Sequence, residues 1–270
     1  SIPKKSPRTD RESSDEKPRR EITPPVPISL SRALQKHQQL VVLGEAGAGK
    51  STLLQFLALY FATDGLPKTK LALTEVRVPI RIELRNYETA LGDTLVKEVA
   101  RTGLFDPLSS QTSQYIAFLL LKEWFAKDKV LLLLDGLDEI LEVQRQAVIS
   151  EAMKLAKQCR IVFTTRLAGY RVIAEPFTAY TIKPFSGSED ALPYAIGWLK
   201  SFSPELKDDE AQTKVQTLLE QMKERQGLSQ VMGNALLLRL AVDHYVRHGK
   251  LAENRAELYR YYVEDIIARR

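Results

Sequence analysis

The chain has 270 residues, a formal net charge of +5 and one cysteine, Cys159. A single cysteine excludes an internal disulfide and a zinc site built from several cysteines. No apolar run approaches the roughly 18 residues of a membrane span. The charged, proline-containing N-terminus lacks the apolar stretch of a secretory signal, so we expect a cytoplasmic protein that does not contact a membrane.

The positive charge is concentrated near the N-terminus, which weakens it as evidence for nucleic acid binding. Residues 1–20 hold seven Lys or Arg against four acidic residues, and residues 1–27 contain six of the thirteen prolines. A segment of this composition cannot bury enough apolar surface to offset the entropy lost on ordering. We therefore predict a flexible basic linker over residues 1–27 and do not expect nucleic acid as a partner.

Strand-like and helix-like segments alternate over residues 28–186. A short helix is expected to end at Lys36, with Ser29 or Ser31 as its N-cap. Pro79 indicates the start of a strand or an edge of the sheet. Such alternation predicts an α/β fold, with a parallel sheet flanked by helices on both faces. The predicted strands are 40–43, 78–84, 130–134, 160–164 and 180–182, and the predicted helices are 50–62, 91–101, 114–125 and a segment ending at 157.

The strand signal ends after Phe185. Helical patterns follow at 191–200, 209–225, 230–248 and 255–269. We therefore predict a first domain over residues 28–186 and a small all-helical domain over residues 187–270.

The segment that joins the first strand to the next helix matches the phosphate-loop pattern GxxxxGK(S/T). Its glycines allow successive backbone N–H groups to point into one concavity, and the helix N-terminus adds the positive end of its dipole. Lys50 would contact the β- and γ-phosphates of a nucleotide, and the Ser51 hydroxyl would bind Mg²⁺. The alternative is a glycine-rich turn without a ligand. The predicted phosphate-binding residues are Gly44, Glu45, Ala46, Gly47, Ala48, Gly49, Lys50 and Ser51.

Carboxylates follow the apolar strand at 130–134. Asp135 comes directly after this strand and is the expected Mg²⁺ partner, because Mg²⁺ in phosphate sites is held by a few protein oxygens together with phosphates and water. Asp138 and Glu139 come just beyond, where either carboxylate could orient or deprotonate an attacking water. An acidic residue in this place is otherwise an ordinary turn residue.

Polar residues also end the strand at 160–164, at the edge where open α/β sheets bind ligands. Thr165 could contact the γ-phosphate by a hydrogen bond, and Arg166 could stabilise the charge of that phosphate. The alternative, with equal weight, is a strand end that reaches solvent with Arg166 paired to a surface acid. The chain lacks the Asn-Lys-x-Asp run of guanine-specific GTPases, which favours ATP.

Together these motifs resemble a NACHT module of the STAND class of signal-transduction NTPases. The resemblance implies a P-loop NTPase domain and a first helical domain that act together as a switch. By matching position, Thr52 completes the phosphate-loop run, Asp135 takes the Mg²⁺ role, Asp138 or Glu139 orients water, and Arg166 senses the γ-phosphate. The matching runs are GEAGAGKST at 44–52, LLLLDGLDEI at 131–140, FTTR at 163–166, IKPFS at 182–186, GNALLLRLAV at 233–242 and RAELYRYYVEDII at 255–267.

The resemblance also implies ligands and partners. In such proteins ADP holds a closed monomer, and exchange for ATP opens the chain and permits assembly into a ring or filament. An effector domain and a sensor domain are normally attached, often in immune or antiviral defence. The expected ligands are therefore ATP or ADP with Mg²⁺, and the expected partners are other copies of the chain and the effector and sensor domains of a longer protein.

The sequence departs from the family pattern in two places. The family usually has Asn-Pro at the start of its leucine-rich helix, with the proline packed on adenine, whereas this chain has Asn234 and Ala235. These two residues are expected near the base, although Asn234 is equally suited to capping a helix. The winged-helix domain of the family is absent from this sequence, so we expect the chain to be a piece of a longer protein.

Three functions are compatible with these motifs. The first is a nucleotide-gated switch with slow, Mg²⁺-dependent ATP hydrolysis. The second is a scaffold that binds nucleotide only to hold its fold. The third is an ATPase that turns over continuously to drive mechanical work or transport, although the chain has no LSGGQ signature. The ordered motifs favour the first function, and the scaffold is the alternative.

Overall fold

The fold was analysed in a computed structural model, which describes residues 26–63, 71, 73, 75–86, 111–168, 170–225 and 227–268. The predicted helix at 91–101 and most of the predicted linker lie outside these residues. The described secondary structure begins with helix α1, Leu30–Lys36, which ends where the sequence predicted. Ser29 is its N-cap, because the Ser29 side chain accepts a hydrogen bond from the backbone N–H of Arg32.

Within the described residues, five parallel strands form the central sheet. In chain order they are β1 (Gln39–Leu43), β2 (Val78–Glu83), β3 (Val130–Asp135), β4 (Arg160–Thr165) and β5 (Thr178–Thr181). Their order across the sheet is β2-β3-β4-β1-β5. The strand that contains Pro79 therefore lies at an edge of the sheet, where a residue without an N–H is tolerated. The three central strands are buried throughout, as their continuous apolar runs predict.

Helices cover both faces of the sheet, as the alternating pattern predicted. Helix α2, Lys50–Ala62, has the predicted bounds and packs with α1 against one face. Helices α3, Gln111–Ala126, and α4, Glu142–Leu155, pack against the other. Successive side chains along β1 and β3 point alternately into the two apolar cores, one on each face of the sheet. The described residues therefore form an α/β fold in which helices cover both faces of a parallel sheet.

A second set of helices follows the last strand. It consists of α5 (Ser188–Phe202), α6 (Asp208–Glu224), α7 (Ala235–His248) and α8 (Arg255–Ala268), which share their own apolar core. The prediction of one helix over residues 230–248 was wrong. A short 3₁₀ turn occupies Ser229–Gly233, and α7 starts afresh at Ala235 because the Asn234 side chain caps it by accepting from the N–H of Leu237.

Cys159 is buried just before β4, and its thiol lies 3.5 Å from the carbonyl oxygen of Leu155. Burial raises the pKa of this thiol to about 12. Within the described parts of the chain, no helix is long and apolar enough to cross a membrane.

Candidate functional site

The predicted phosphate loop joins β1 to α2. Gly47 and Gly49 adopt φ values of 77° and 94°, in the left-handed region that glycine enters without steric cost. A Cβ atom built on Gly49 would meet no atom within 4 Å, so there is open space at the start of α2. Glu45 and Thr52 expose their side chains, while Ala48 packs against Gly44. The loop therefore has the backbone conformation and the space of a phosphate cradle.

Lys50 is bound to the loop itself. Its ammonium group donates to the carbonyl oxygens of Gly44 at 2.8 Å and Glu45 at 3.0 Å. Burial lowers the pKa of Lys50 and the charge of Arg166 lowers it further, while Asp138 and Asp135 oppose these effects. A phosphate in the cradle would offer this ammonium stronger, charged acceptors than carbonyl oxygens.

Asp135 is the centre of the site. Its Oδ1 accepts hydrogen bonds from the hydroxyls of Ser51 at 3.1 Å and Thr164 at 2.7 Å. Its Oδ2 accepts from Nη2 of Arg81 at 2.7 Å. The Thr164 hydroxyl in turn accepts from the N–H of Gly136 at 2.9 Å. The two residues predicted to share Mg²⁺, Ser51 at the start of α2 and Asp135 at the end of β3, therefore contact one another.

Arg166 and Asp138 form a pair at the exposed rim of the site. Asp138 accepts from the backbone N–H of Arg166 at 3.0 Å, and its other oxygen lies 2.9 Å from Nε of the same residue. The Arg166 side chain is 53% exposed. Glu139 is exposed in the 3₁₀ turn Leu137–Glu139, and Thr165 is buried at the end of β4. The acid that pairs with Arg166 is thus one of the two predicted water-orienting residues.

The start of α7 touches the phosphate loop. Asn234 Nδ2 donates to the carbonyl oxygen of Ala46 at 2.8 Å, and the N–H of Leu236 donates to that of Gly47 at 3.0 Å. A Cβ atom on Gly47 would lie 2.7 Å from Oδ1 of Asn234, so only glycine permits this approach. The carbonyl oxygen of Ala235 accepts from the Tyr194 hydroxyl at 3.0 Å. The predicted base-contacting pair therefore lies against the loop.

A family comparison is consistent with this geometry. The NACHT domain family matches residues 38–198, from the first strand to the first helix after the sheet. The chain belongs to the NACHT family. A NACHT domain is a P-loop NTPase domain, which binds nucleotide, typically with Mg²⁺. No curated protein matches the chain.

Several solved structures resemble this NACHT chain at low identity. PCH-2 of C. elegans is 14% identical, with a TM-score of 0.43 over 88% of this chain and 66% of its own. The ORC1 protein of Aeropyrum pernix, solved in complex with DNA, is 15% identical, with a TM-score of 0.44 over 87% and 64%. A STAND protein with a tetratricopeptide repeat sensor from Pyrococcus horikoshii is 16% identical, with a TM-score of 0.38 over 79% and 28%. The NACHT chain thus spans less than two thirds of each of these proteins.

The residues of the NACHT site fit a Mg²⁺–nucleotide. The Ser51 hydroxyl and the Asp135 carboxylate are hard oxygen donors of the kind that Mg²⁺ prefers, and they lie 3.1 Å apart beside the open loop. When bound, Mg²⁺ would neutralise phosphate charge. Lys50 and the N–H groups at the start of α2 would hold the phosphates.

Sequence reasoning missed three contributors to the NACHT site. Thr164 could have been found from strand register, because Phe163 pairs with Leu134 and the next residues, Thr164 and Asp135, then face the same way. Leu236 contributes a backbone N–H, which leaves no trace in sequence. Arg81 lies between the buried Ile80 and Ile82, and that alternation places it on the opposite face of β2. A charge on an edge strand is normally assigned to solvent.

Proposed function

We propose that the chain is an ATP/ADP-binding switch with slow Mg²⁺-dependent hydrolysis. The switch would gate assembly and signalling of a longer protein. The observation that carries this proposal is the pair of hydrogen bonds from the start of α7 to the phosphate loop. These bonds connect the helical segment to the loop that would bind the phosphates of the nucleotide. An ordinary nucleotide-binding turn has no need of such a link.

The coupling follows from the two carbonyl groups that α7 binds. Ala46 and Gly47 lie in the middle of the loop, and their carbonyl oxygens are held by Asn234 and by the N–H of Leu236. Phosphate binding uses the N–H groups of the same peptide segment. Any change in loop conformation between ADP and ATP is therefore transmitted to α7, and a difference in affinity between the two conformations is what a switch requires.

We assign roles to the side chains around the loop. Lys50 would hold the β- and γ-phosphates, while Ser51 and Asp135 would hold Mg²⁺. Thr165 and Arg166 would contact the γ-phosphate, and Asp138 or Glu139 would orient the attacking water. Asn234 and Ala235 would lie near adenine.

The pair formed by Arg166 and Asp138 would have to open before Asp138 can orient water, which would make hydrolysis slow. While the pair is closed, both oxygens of Asp138 contact Arg166. A γ-phosphate offers Arg166 a second anionic partner and would release the carboxylate. ADP lacks that group, so in the ADP state the pair would stay closed.

The nucleotide that the purified chain carries is the first test. The protein is denatured and the released nucleotide is identified by chromatography. ADP is the expected product, and GDP would overturn the adenine assignment. A preparation that holds no nucleotide and binds neither ATP nor ADP at millimolar levels would contradict the proposal.

Hydrogen exchange tests the coupling directly. The amide of Leu236 reports the bond to Gly47, so its exchange rate is compared with ADP and with a non-hydrolysable ATP analogue. We expect at least tenfold faster exchange with the ATP analogue. Light scattering on the same samples should show a larger assembly with the analogue than with ADP. Equal exchange rates and equal masses would exclude a switch.

The scaffold is the second candidate function. It is favoured by the contact of Asp138 with Arg166, because this contact keeps the carboxylate from water. A scaffold would bind nucleotide without cleaving it. Single-turnover hydrolysis of bound ATP separates the two, since we expect cleavage that Asp138→Asn or Glu139→Gln slows at least tenfold. Steady turnover above roughly 1 s⁻¹ would instead indicate a continuously working ATPase.

We propose a cytoplasmic setting for the longer protein, with effector and sensor domains as its partners and a role in immune or antiviral defence. The basic linker predicted at residues 1–27 is expected to bind nucleic acid only weakly. A filter-binding measurement at physiological salt checks this, and submicromolar affinity would overturn it.

A further inference from the structure

Arg81 is the charged neighbour of the Mg²⁺ site that the sequence did not reveal. It lies on β2, next to β3, and its side chain is 21% exposed while that of Asp135 is 8% exposed. Ile80 and Ile82 direct their side chains into the core on the other face. The strand thus projects a positive charge toward the carboxylate of Asp135, the last residue of β3.

Among the described residues, one nitrogen of Arg81 makes both of its ionic contacts. Nη2 lies 2.7 Å from Oδ2 of Asp135 and 3.0 Å from Oε1 of Glu83. The remaining oxygen of Asp135 accepts from the hydroxyls of Ser51 and Thr164. Among the described residues, Arg81 is therefore the side chain that forms an ion pair with this buried carboxylate, while Lys50 and Arg85 attract it without direct contact.

The guanidinium group of Arg81 makes ion pairs but does not use all of its hydrogen-bond donors. Its Nε is buried and has no hydrogen-bond partner within the described residues. A buried donor without a partner is costly. This cost is offset by the attraction between Arg81 and Asp135, a buried carboxylate that has no other ion-pair partner among the described residues.

We propose that Arg81 is a positioning residue that neutralises Asp135 when no divalent cation is bound, and that it thereby sets how strongly nucleotide binding depends on Mg²⁺. The inference rests on the nucleotide site proposed above. Arg81 and the cation serve the same carboxylate, and two positive charges at one carboxylate repel each other. With Arg81 present, the site stays ordered without the cation but has a lower affinity for it.

Three variants separate this role from a general one. Arg81→Gln removes the charge and keeps a hydrogen-bonding side chain. Arg81→Lys keeps the charge. Arg85→Gln is the matched control, because Arg85 lies near the end of the same strand and pairs with Glu83 at 2.6 Å, but has no hydrogen bond to Asp135.

The measurement is the affinity for a fluorescent ADP analogue as a function of free Mg²⁺, starting from an excess of EDTA. We expect Arg81→Gln to lower the half-saturating Mg²⁺ concentration about tenfold, because Mg²⁺ then no longer competes with a charged side chain for the Asp135 carboxylate. In EDTA the same variant should bind ADP more weakly than the wild type. Arg81→Lys and Arg85→Gln should stay within about threefold of the wild type. Superimposable curves for Arg81→Gln and the wild type would overturn the role of Arg81.

The Mg²⁺ dependence of thermal melting gives a readout that a merely structural residue would not change. Arg81→Gln should melt below the wild type in EDTA, and the deficit should shrink with Mg²⁺ and ADP or with high Mg²⁺ alone. An equal deficit in all three conditions would overturn the proposal. The arm with Mg²⁺ alone decides the matter even if the wild type binds no ADP, a result that would count against the nucleotide proposal and not against Arg81.

Discussion

Arginines pair with carboxylates at both ends of the strands of the central sheet. We call the end where the strands begin the amino edge and the end where they finish the carboxyl edge. At the amino edge, Arg77 contacts Asp128 and Glu75, and Arg160 contacts Glu75. At the carboxyl edge, Arg81 contacts Asp135 and Arg166 contacts Asp138. The chemistry of the two edges is the same, so the presence of ion pairs does not by itself mark a functional site.

The two edges differ in what else holds the arginines. Arg160 is 2% exposed and donates to the backbone carbonyls of Leu34 and His37, while Arg77, 6% exposed, donates to those of Asp128 and Val130. These bonds tie the loops before the strands to one another. Hydrogen bonding and attraction to Asp128 and Glu75 raise the pKa of Arg77 despite its burial.

At the carboxyl edge the cations have partners that a ligand can replace. Among the described residues, Lys50 donates only to loop carbonyls, and the half-exposed Arg166 pairs with a single acid. The comparison teaches that the amino edge holds each buried arginine by a carboxylate and backbone carbonyls together. At the carboxyl edge Lys50 has carbonyl acceptors without a carboxylate, so the proposed phosphate would be its stronger partner.

The largest effect is expected at the amino edge. Arg160→Met should lower the free energy of unfolding by about 3 kcal/mol, because two backbone carbonyls and one carboxylate lose their donor. Urea denaturation measures this loss, and ADP affinity of the folded protein should be unchanged. The exposed Arg171→Met is the control and should alter stability by less than about 0.5 kcal/mol. A tenfold loss of ADP affinity in Arg160→Met would erase the distinction between the edges.

The reverse pattern is expected for Lys50 at the carboxyl edge. Lys50→Ala should weaken ADP binding about 100-fold, since an ammonium contact to phosphate is lost. The stability of the protein should fall less than in Arg160→Met, because burial lowers the pKa of Lys50 and so makes its charged form less favourable in the folded protein. Titration calorimetry and urea denaturation give the two values. Lys154→Ala, which removes a surface lysine paired with Glu151, should change neither.

Two glycines of the phosphate loop sharpen the comparison within the carboxyl edge. Alanine at Gly47 or Gly49 is strained by about 1 kcal/mol, because both have positive φ. Only at Gly47 would the new Cβ also overlap Asn234 and Leu236, at 2.7 and 2.9 Å. Gly47→Ala should therefore destabilise the protein by about 1–3 kcal/mol more than Gly49→Ala, as overpacking does. Equal losses in thermal unfolding would show that α7 is not held against the loop.

A smaller effect is expected from the cap of α7. Asn234→Ala should cost about 1 kcal/mol, the usual loss for a helix N-cap, and Ser29→Ala should cost the same or less. Only Asn234→Ala should accelerate release of a fluorescent ADP analogue, because Asn234 also binds Ala46. Stopped-flow dissociation distinguishes them, and identical release rates in both variants would break the link between the cap and the site.

The smallest effect concerns the junction between β5 and α5. Hydrogen bonds from the side chain and backbone of Ser186, together with Lys183, lower the pKa of Asp190 to about 2. Its stabilising contribution is therefore present above about pH 4, the usual range of a free aspartate, and is lost as the pH falls toward 2. Asp190→Asn should be less stable than the wild type at pH 7, and the gap should close below pH 4. A gap that does not vary with pH would contradict this assignment.

Much of the carboxyl edge was predictable because its motif residues lie in short continuous runs of the sequence. The phosphate loop, Asp135 and the bounds of α2 follow from glycine spacing and apolar runs. Arg81 was not predictable, since its partner is distant in sequence and its strand reads as a sheet edge. The break at Asn234 was missed because apolar spacing continues across it, while the capping bond is made by one side chain.

The buried thiol described above makes the chain convenient for labelling. Cys159 is the only cysteine, and its raised pKa leaves almost no thiolate at neutral pH. Maleimide probes should therefore not react with Cys159 in the native protein, but only with cysteines introduced on its surface. Pairs of such probes, one on α4 and one on α6, would follow the distance between the sheet and the helical segment as nucleotide exchanges, without first removing the native thiol.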